Sequence, residues 1–241
     1  MKLLSILPFT LKVLVANCRL LAICTGTRYW GLGNLDKKLI SIIGTERGFF
    51  VELGANDGIS QSNTKHLEMF HGWRGVLIEP YPGNYRKLSR TRSSSSHFVN
   101  AACVSFEFPK DEMELAYSNL MTTPMEGSSD VADRKLHAES GKKWLRGRET
   151  VKTFLAKART LTSILIEAKA PPVIDLLSLD VEGGEIEVLR GVDHATYRFK
   201  WILLESRDEK RIAEYLEGQG YSFHSKLTGH DFLFRNRSFE R

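Results

Sequence analysis

Apolar residues along this chain fall into short blocks bounded by glycine, proline and polar residues, and between the blocks they recur at helical spacing. Blocks of the first kind predict buried strands, and the spacing between them predicts covering helices. Strands are predicted over Phe49–Leu53, Gly75–Glu79, His97–Val104, Val173–Asp180 and Trp201–Glu205. Tyr221–Ser225 and Asp231–Arg235, joined through Thr228-Gly229-His230, predict a terminal hairpin. Helices are predicted over Leu32–Ile43, Ser62–Phe70, Pro82–Thr91, Leu161–Ala168, Glu185–Arg190 and Glu209–Glu217. In the first of these Leu35, Leu39 and Ile42–Ile43 share a face, and in Pro82–Thr91 Tyr85 and Leu88 do. Strand and helix in alternation predict an α/β domain with a mostly parallel sheet, and the hairpin adds one antiparallel strand.

Two stretches depart from the alternation. From Ser105 to Lys152 the periodicity fails, and Lys142, Lys143, Arg146 and Arg148 make its second half basic. An irregular insertion at about 105–152 is expected, of the kind that carries substrate contacts or a lid. The other is the amino-terminal segment, residues 1–31, ahead of the main domain at 32–241. Met1–Cys24 is apolar, but Pro8, Lys12, Asn17 and Arg19 interrupt it short of the ~18 apolar residues of a spanning helix. Lys12 also cuts the run a signal peptide would need. Lys12 and Arg19, seven apart, are expected on one helical face. A helix packed on the domain is the reading adopted here, and weak attachment to a membrane surface is the alternative.

Composition narrows the class. With 241 residues, 42% apolar and 26% charged, the chain reads as one soluble globular domain. A net charge of +5 allows an acidic partner without requiring one. Cys18, Cys24 and Cys103 have no CxxC or metal-type spacing, so no disulfide framework follows and a reducing cytoplasm is expected.

The chemistry concentrates at strand ends. Phe49–Gly58 reads Phe-Phe-Val-Glu-Leu-Gly-Ala-Asn-Asp-Gly: a strand that stops at a turn made by Gly54 and Gly58. The pattern Glu-x-Gly-x-x-x-Gly lacks the third glycine of a dinucleotide fold. Glu52 would repel a pyrophosphate and suits a ligand bearing ammonium or sulfonium. Glu79, at the end of the next strand, is placed to take both hydroxyls of a ribose. Asp180 ends the fourth strand, Glu182 follows it, and Glu205 ends the fifth. Each has a structural alternative: a plain turn for the glycines, a solvated strand end for Glu79, a cap near Glu185 for Asp180. Ser62-Asn63-Thr64 reads as a helix cap.

Val51–Gly58, Ser62-Asn63-Thr64, Gly72-Trp73-Arg74-Gly75, Ile78-Glu79-Pro80 and Leu179-Asp180-Val181-Glu182-Gly183 together resemble the FkbM family over roughly Leu32 to Phe234. The resemblance implies an S-adenosylmethionine-dependent methyltransferase. Its fold would be the class I Rossmann-like three-layer sandwich, with a seven-stranded sheet and one antiparallel strand. It also implies that Glu52, Gly54, Ala55, Asn56 and Gly58 surround the methionine part and ribose of the methyl donor, with Glu79 and Pro80 on the ribose. Asn100 and Ala101 would lie by the adenine. Asp180, which also borders the donor, would act with Glu182 and Glu205 on the acceptor. O-methylation of a sugar or small-molecule hydroxyl is the family's usual chemistry, and no metal is required. Two alternatives stand beside it: N-methylation of nucleic acid, and a non-catalytic, membrane-tethered interaction module. No Asn/Asp-Pro-Pro-Tyr motif follows the fourth strand, and no aromatics interleave with the basic loop, which speaks against nucleic acid.

Overall fold

A computed structural model describes residues 7–26 and 28–240. In chain order its strands are β1 (Phe49–Leu53), β2 (Arg74–Ile78), β3 (His97–Val99), β4 (Ala102–Val104), β5 (Glu112–Tyr117) and β6 (Thr123–Pro124). They continue with β7 (Lys152–Thr160), β8 (Val173–Leu179), β9 (Arg198–Glu205), β10 (Tyr221–Lys226) and β11 (Asp231–Asn236). Among the described residues one sheet has seven strands in the order β10-β11-β9-β8-β1-β2-β3. Neighbours pair in parallel except around β11, which is antiparallel to both β9 and β10. This is the class I methyltransferase sheet that the resemblance implies.

Alternating side chains give the sheet two apolar faces. On one, Val51, Leu53, Val76, Ile78, Leu177 and Leu204 pack under the helices Leu161–Glu167, Glu185–Leu189 and Glu209–Gly218. On the other, Phe50, Leu77, Leu176 and Leu203 pack under Leu35–Ile43, Lys65–His71 and Pro82–Thr91. The chain steps outward from β1 to β3, then returns to lay β8 against the opposite edge of β1. That reversal opens a crevice beyond the carboxyl ends of β1 and β8, where α/β sheets bind ligands.

Two expectations need correction. The run His97–Val104 is not one strand: β3 stays in the main sheet, and β4 leaves it to pair with β7. Asn100 fixes the break, its side-chain amide donating to the carbonyls of Glu79 (2.7 Å) and Pro80 (2.9 Å). Nor is 105–152 irregular. It supplies β5, β6 and the helix Arg134–Ser140, and with β4 and β7 these strands form a second sheet in the order β4-β7-β5-β6. Its apolar side is small, with Ala102, Val104, Met113, Leu115 and Ala156 in one cluster. So short a pattern, broken by charged residues on the outer face, left no clear period in the sequence.

The amino-terminal segment also differs from the single helix expected. Residues 1–6 of the Met1–Cys24 run lie outside the described residues. From there on the segment forms two helices, Phe9–Asn17 and Arg19–Cys24, broken at an extended Cys18. Lys12 and Arg19 therefore share no helical face. Val15, Ala16 and Ala22 pack with Trp30 and Ile59 on the domain, while Leu11, Leu14, Leu20 and Ile23 stay exposed. No helix among the described residues is long and apolar enough to cross a membrane.

One buried charge cluster ties these layers together. Phe50 and Glu52 face the same side of β1, so Glu52 points into the layer beneath the helices. There Arg92 reaches Glu52 at 2.8 Å, Glu68 at 2.9 Å and Thr64 Oγ1 at 2.7 Å. Lys65 bonds Glu68 and the carbonyl of Thr91, both at 2.8 Å. All four charged side chains are buried, two acids against two bases. Burial alone would push the Glu68 carboxyl up, but Arg92 and Lys65 outweigh it and hold it below its ordinary range. Removing one partner from such a cluster strands the others in a dry environment. Arg92→Met should therefore cost about 3–5 kcal/mol of unfolding free energy. Arg92→Lys should recover only part of it, because an ammonium cannot serve both acids with a planar fork. Urea denaturation of the three proteins measures both effects.

Candidate active site

The crevice at the switch point holds a hollow of about 280 Å³. Its floor is the ends of β1, β2 and β8, with Gly54, Glu79 and Asp180 on its lining, and the second sheet walls it with Met113, Leu115 and Pro124. Gly54 is what lets the floor close. It sits at φ +73°, and a Cβ there would lie 1.9 Å from the Asp180 carbonyl oxygen. Any side chain at 54 would drive the ends of β1 and β8 apart.

Glu79 is buried on the lining of the hollow, and its two oxygens are already aimed. Oε2 accepts the Asn56 backbone N–H and Oε1 that of Tyr81, both at 2.9 Å. Burial pushes its carboxyl up to about 7 despite these two bonds. Asn56 takes the left-handed conformation (φ +48°) that turns its N–H toward this acid, and its own amide donates to Asn119 Oδ1 at 3.1 Å.

Across the hollow lies an acidic group whose members are unequally engaged. Glu182 adopts φ +55°, a conformation that costs a non-glycine residue about 1–2 kcal/mol. It is held there by His137 Nε2 at 2.6 Å and Arg207 Nη2 at 3.2 Å, both on its Oε2. Glu205 accepts from the same Arg207 nitrogen at 3.0 Å. Asp180 has no such partner. Its Oδ1 is out of contact with water and makes no hydrogen bond. Burial, then the charges of Glu205 and Glu182, push its carboxyl well above the usual range, and burial followed by Glu182 raises Glu205 as well. A negatively charged hollow with one unpaired carboxylate suits a cationic ligand and can accept a proton.

Of the expected site residues, Gly54, Asn56, Glu79, Pro80, Ala101, Asp180, Glu182 and Glu205 line this hollow. Four others do not, each for a visible reason. Glu52 faces the helix layer and is consumed by the Arg92 cluster and by Ser62 and Thr64, so those two residues hold an acid rather than merely cap a helix. Ala55 is buried in the core on that same side. Gly58 is required by packing: at φ +82°, a Cβ would meet Thr91 Oγ1 at 2.4 Å and Arg92 Cγ at 2.8 Å. Asn100 spends its amide on the β3–β4 break. Sequence reasoning missed Arg207 and His137. The first was in reach, two residues beyond a strand-end acid in Glu205-Ser206-Arg207. The second, in the helix Arg134–Ser140, carried no signal. No group of three or more His, Cys, Asp or Glu side chains among the described residues is arranged to hold a metal ion.

No curated protein matches the chain. Several solved methyltransferase structures are similar to it at low identity. The METTL16 MTase domain is 11% identical, with 85% of this chain and 66% of that one covered and a TM-score of 0.45. Precorrin-6y C5,15-methyltransferase from Geobacter metallireducens is 12% identical, with 85% and 88% covered and a TM-score of 0.45. The N-terminal domain of human METTL16 in complex with SAH is 12% identical, with 85% and 69% covered and a TM-score of 0.41. The chain thus spans about two thirds of the METTL16 chains. The model of the methyltransferase FkbM domain matches residues 52–223, from the end of β1 into β10. That match takes in more than half of the sequence, and the chain belongs to the FkbM family of S-adenosylmethionine-dependent methyltransferases.

Proposed function

We propose that the protein transfers a methyl group from S-adenosylmethionine to a hydroxyl of a sugar or other small-molecule acceptor. The observation that carries this reading is Asp180, which lines the hollow with a carboxylate that makes no hydrogen bond among the described residues. A hydroxyl holds its proton at neutral pH and must lose it as it attacks, so an O-methyltransferase needs a base within reach. A neutral amine attacks through a free lone pair and needs none. When bound, the methyl donor supplies an electrophilic carbon on a sulfonium. The rest is positioning and proton transfer by the chain.

Asp180 takes the acceptor's proton, and its raised carboxyl makes it a stronger base than a solvated aspartate. Glu182 and Glu205 keep the region negative beside the sulfonium, while Arg207 and His137 fix their orientation. Glu79, held by the Asn56 and Tyr81 N–H groups, has lone pairs left for ribose hydroxyls. The residues fit the cofactor at each of these points: room at Gly54, an aimed acid at Glu79, an unpaired one at Asp180. Pro80 and Ala101, beside Glu79, leave an apolar surface for the adenine at the end of the cleft away from Asp180.

Asp180→Asn should lower kcat at saturating methyl donor by about 10²–10⁴-fold. The wild-type rate should climb with pH over a range above that of an ordinary aspartate, because the base works only once its raised carboxyl has ionised. Stopped assays across pH with a panel of sugar and phenol acceptors measure both, and an unchanged rate in the variant would remove Asp180 from the chemistry. S-adenosylhomocysteine affinity should rise between pH 6 and 8 as Glu79, at about 7 in the free protein, ionises and accepts the ribose hydroxyls. Glu79→Gln should flatten that dependence and weaken binding by about tenfold, as titration calorimetry would record.

A further inference from the structure

A second hollow, also of about 280 Å³, lies between the amino-terminal helix and the glycine loop. It adjoins the first: Asn56, Asn119 and Trp144 line both, and the Asn56–Asn119 hydrogen bond stands between them. Three cationic side chains, Lys12, Lys87 and Arg146, line the second hollow. Lys12 is the unusual one. It is 3% exposed, yet its ammonium makes no hydrogen bond or ion pair with any described residue. Its stem is enclosed while the ammonium keeps solvent contact on the hollow's lining, so the charge is free to meet an anion there. Burial, and then the nearby Arg146, hold its pKa below the ordinary lysine value.

Among the described residues no carboxylate of this hollow pairs with Lys12, although the charge of Asp57 favours the ammonium from nearby. Asp57 is spent on its own turn, accepting from the backbone N–H of Ile59 and Ser60 and from the Ser60 hydroxyl. Glu149 accepts from the Asn119 amide and the Arg146 backbone N–H and faces Lys87 at 3.5 Å. The Arg146 guanidinium, on the exposed rim, has no carboxylate partner either. Two neighbouring cations with neither one paired repel each other. An oxyanion of tetrahedral shape entering the hollow can accept from both and offset that repulsion.

We propose that this hollow is an oxyanion subsite that binds the phosphoryl group of the acceptor. The substrate is then a phosphorylated hydroxy compound, its phosphate on Lys12 and Arg146 and its reacting hydroxyl reaching past Asn56 and Asn119 toward Asp180. The identity of the rest of the ligand rests on the methyl-transfer reading above; the anion site does not. The inference also gives the amino-terminal helix a task, since Lys12 is its contribution to the cleft.

The probe is inorganic pyrophosphate, titrated calorimetrically into the full chain with and without saturating S-adenosylhomocysteine. Wild type should bind it with a dissociation constant of roughly millimolar or better in both cases. Lys12→Met and Arg146→Gln should each weaken that binding by about tenfold while S-adenosylhomocysteine affinity moves less than twofold. Arg146 is exposed, so its variant keeps the test valid if Lys12→Met folds poorly by circular dichroism. Absence of pyrophosphate binding to wild type, or equal binding by wild type and variants, would overturn the proposal. So would a loss of S-adenosylhomocysteine affinity in the variants with pyrophosphate binding intact, because the cations would then serve the carboxylate of the methyl donor. Failure of the methyl-transfer reading looks different: wild type would not bind S-adenosylhomocysteine at all.

Discussion

The cleft of this protein depends on a salt cluster that never touches it. Arg92, Lys65, Glu52 and Glu68 are enclosed between the sheet and one helix layer, and they join β1, the loop after it and the ends of two helices. An apolar core would hold the layers together but would not fix the loop's path, because apolar contacts are non-directional. Charged hydrogen bonds are directional and intolerant of partial satisfaction. With Ser62 and Thr64 pinned to Glu52, the stretch from Gly54 to Asp57 has its exit fixed, and the Asn56 N–H stays aimed at Glu79. Geometry at the site is thus set from behind, on the opposite face of the same strand.

The cleft itself works by the reverse arrangement. There acids outnumber their partners, and the imbalance falls on one group. Arg207 and His137 satisfy Glu182, Arg207 also serves Glu205, and Asp180 is left with an empty oxygen. Burial raises every acid in the group for which a shift is resolved, and of Asp180, Glu182 and Glu205 only Asp180 has no basic side chain holding either oxygen. Charge balance in one half of the molecule and deliberate shortage in the other are both consequences of which residues lie within reach of Arg92 and Arg207.

Much of this was legible in the sequence. The boundaries of β1 and of the helix Pro82–Thr91 follow from apolar blocks and a proline start, and the seven-stranded sheet with one antiparallel strand is what the family resemblance implied. Glu79 and Asp180 were readable because a strand-end acid has few other reasons to interrupt an apolar block. Glu52 was misplaced by one step of reasoning. Its parity with Phe50 already put it on the helix side, since successive strand residues alternate faces. What stayed hidden has a common cause: it depends on long-range contact without local pattern. The split of His97–Val104 is decided by Asn100 finding two carbonyls twenty residues earlier, and His137 meets Glu182 across 45 positions. Lys12 read as an interruption in an apolar run, and only its place on the lining of a hollow shared with Lys87 and Arg146 gives it meaning.

The break between β3 and β4 has a mechanical consequence. One unbroken stretch of backbone leaves the floor of the cleft and becomes its wall, and the hinge between them is clamped by Asn100 to the peptide carbonyls of Glu79 and Pro80. The small sheet therefore cannot swing outward as an independent flap. Tilting it would tear the clamp and disturb the segment that carries Glu79. Access from that side and the aim of the Glu79 carboxylate are geared to one another, so this entrance does not widen without shifting that acid.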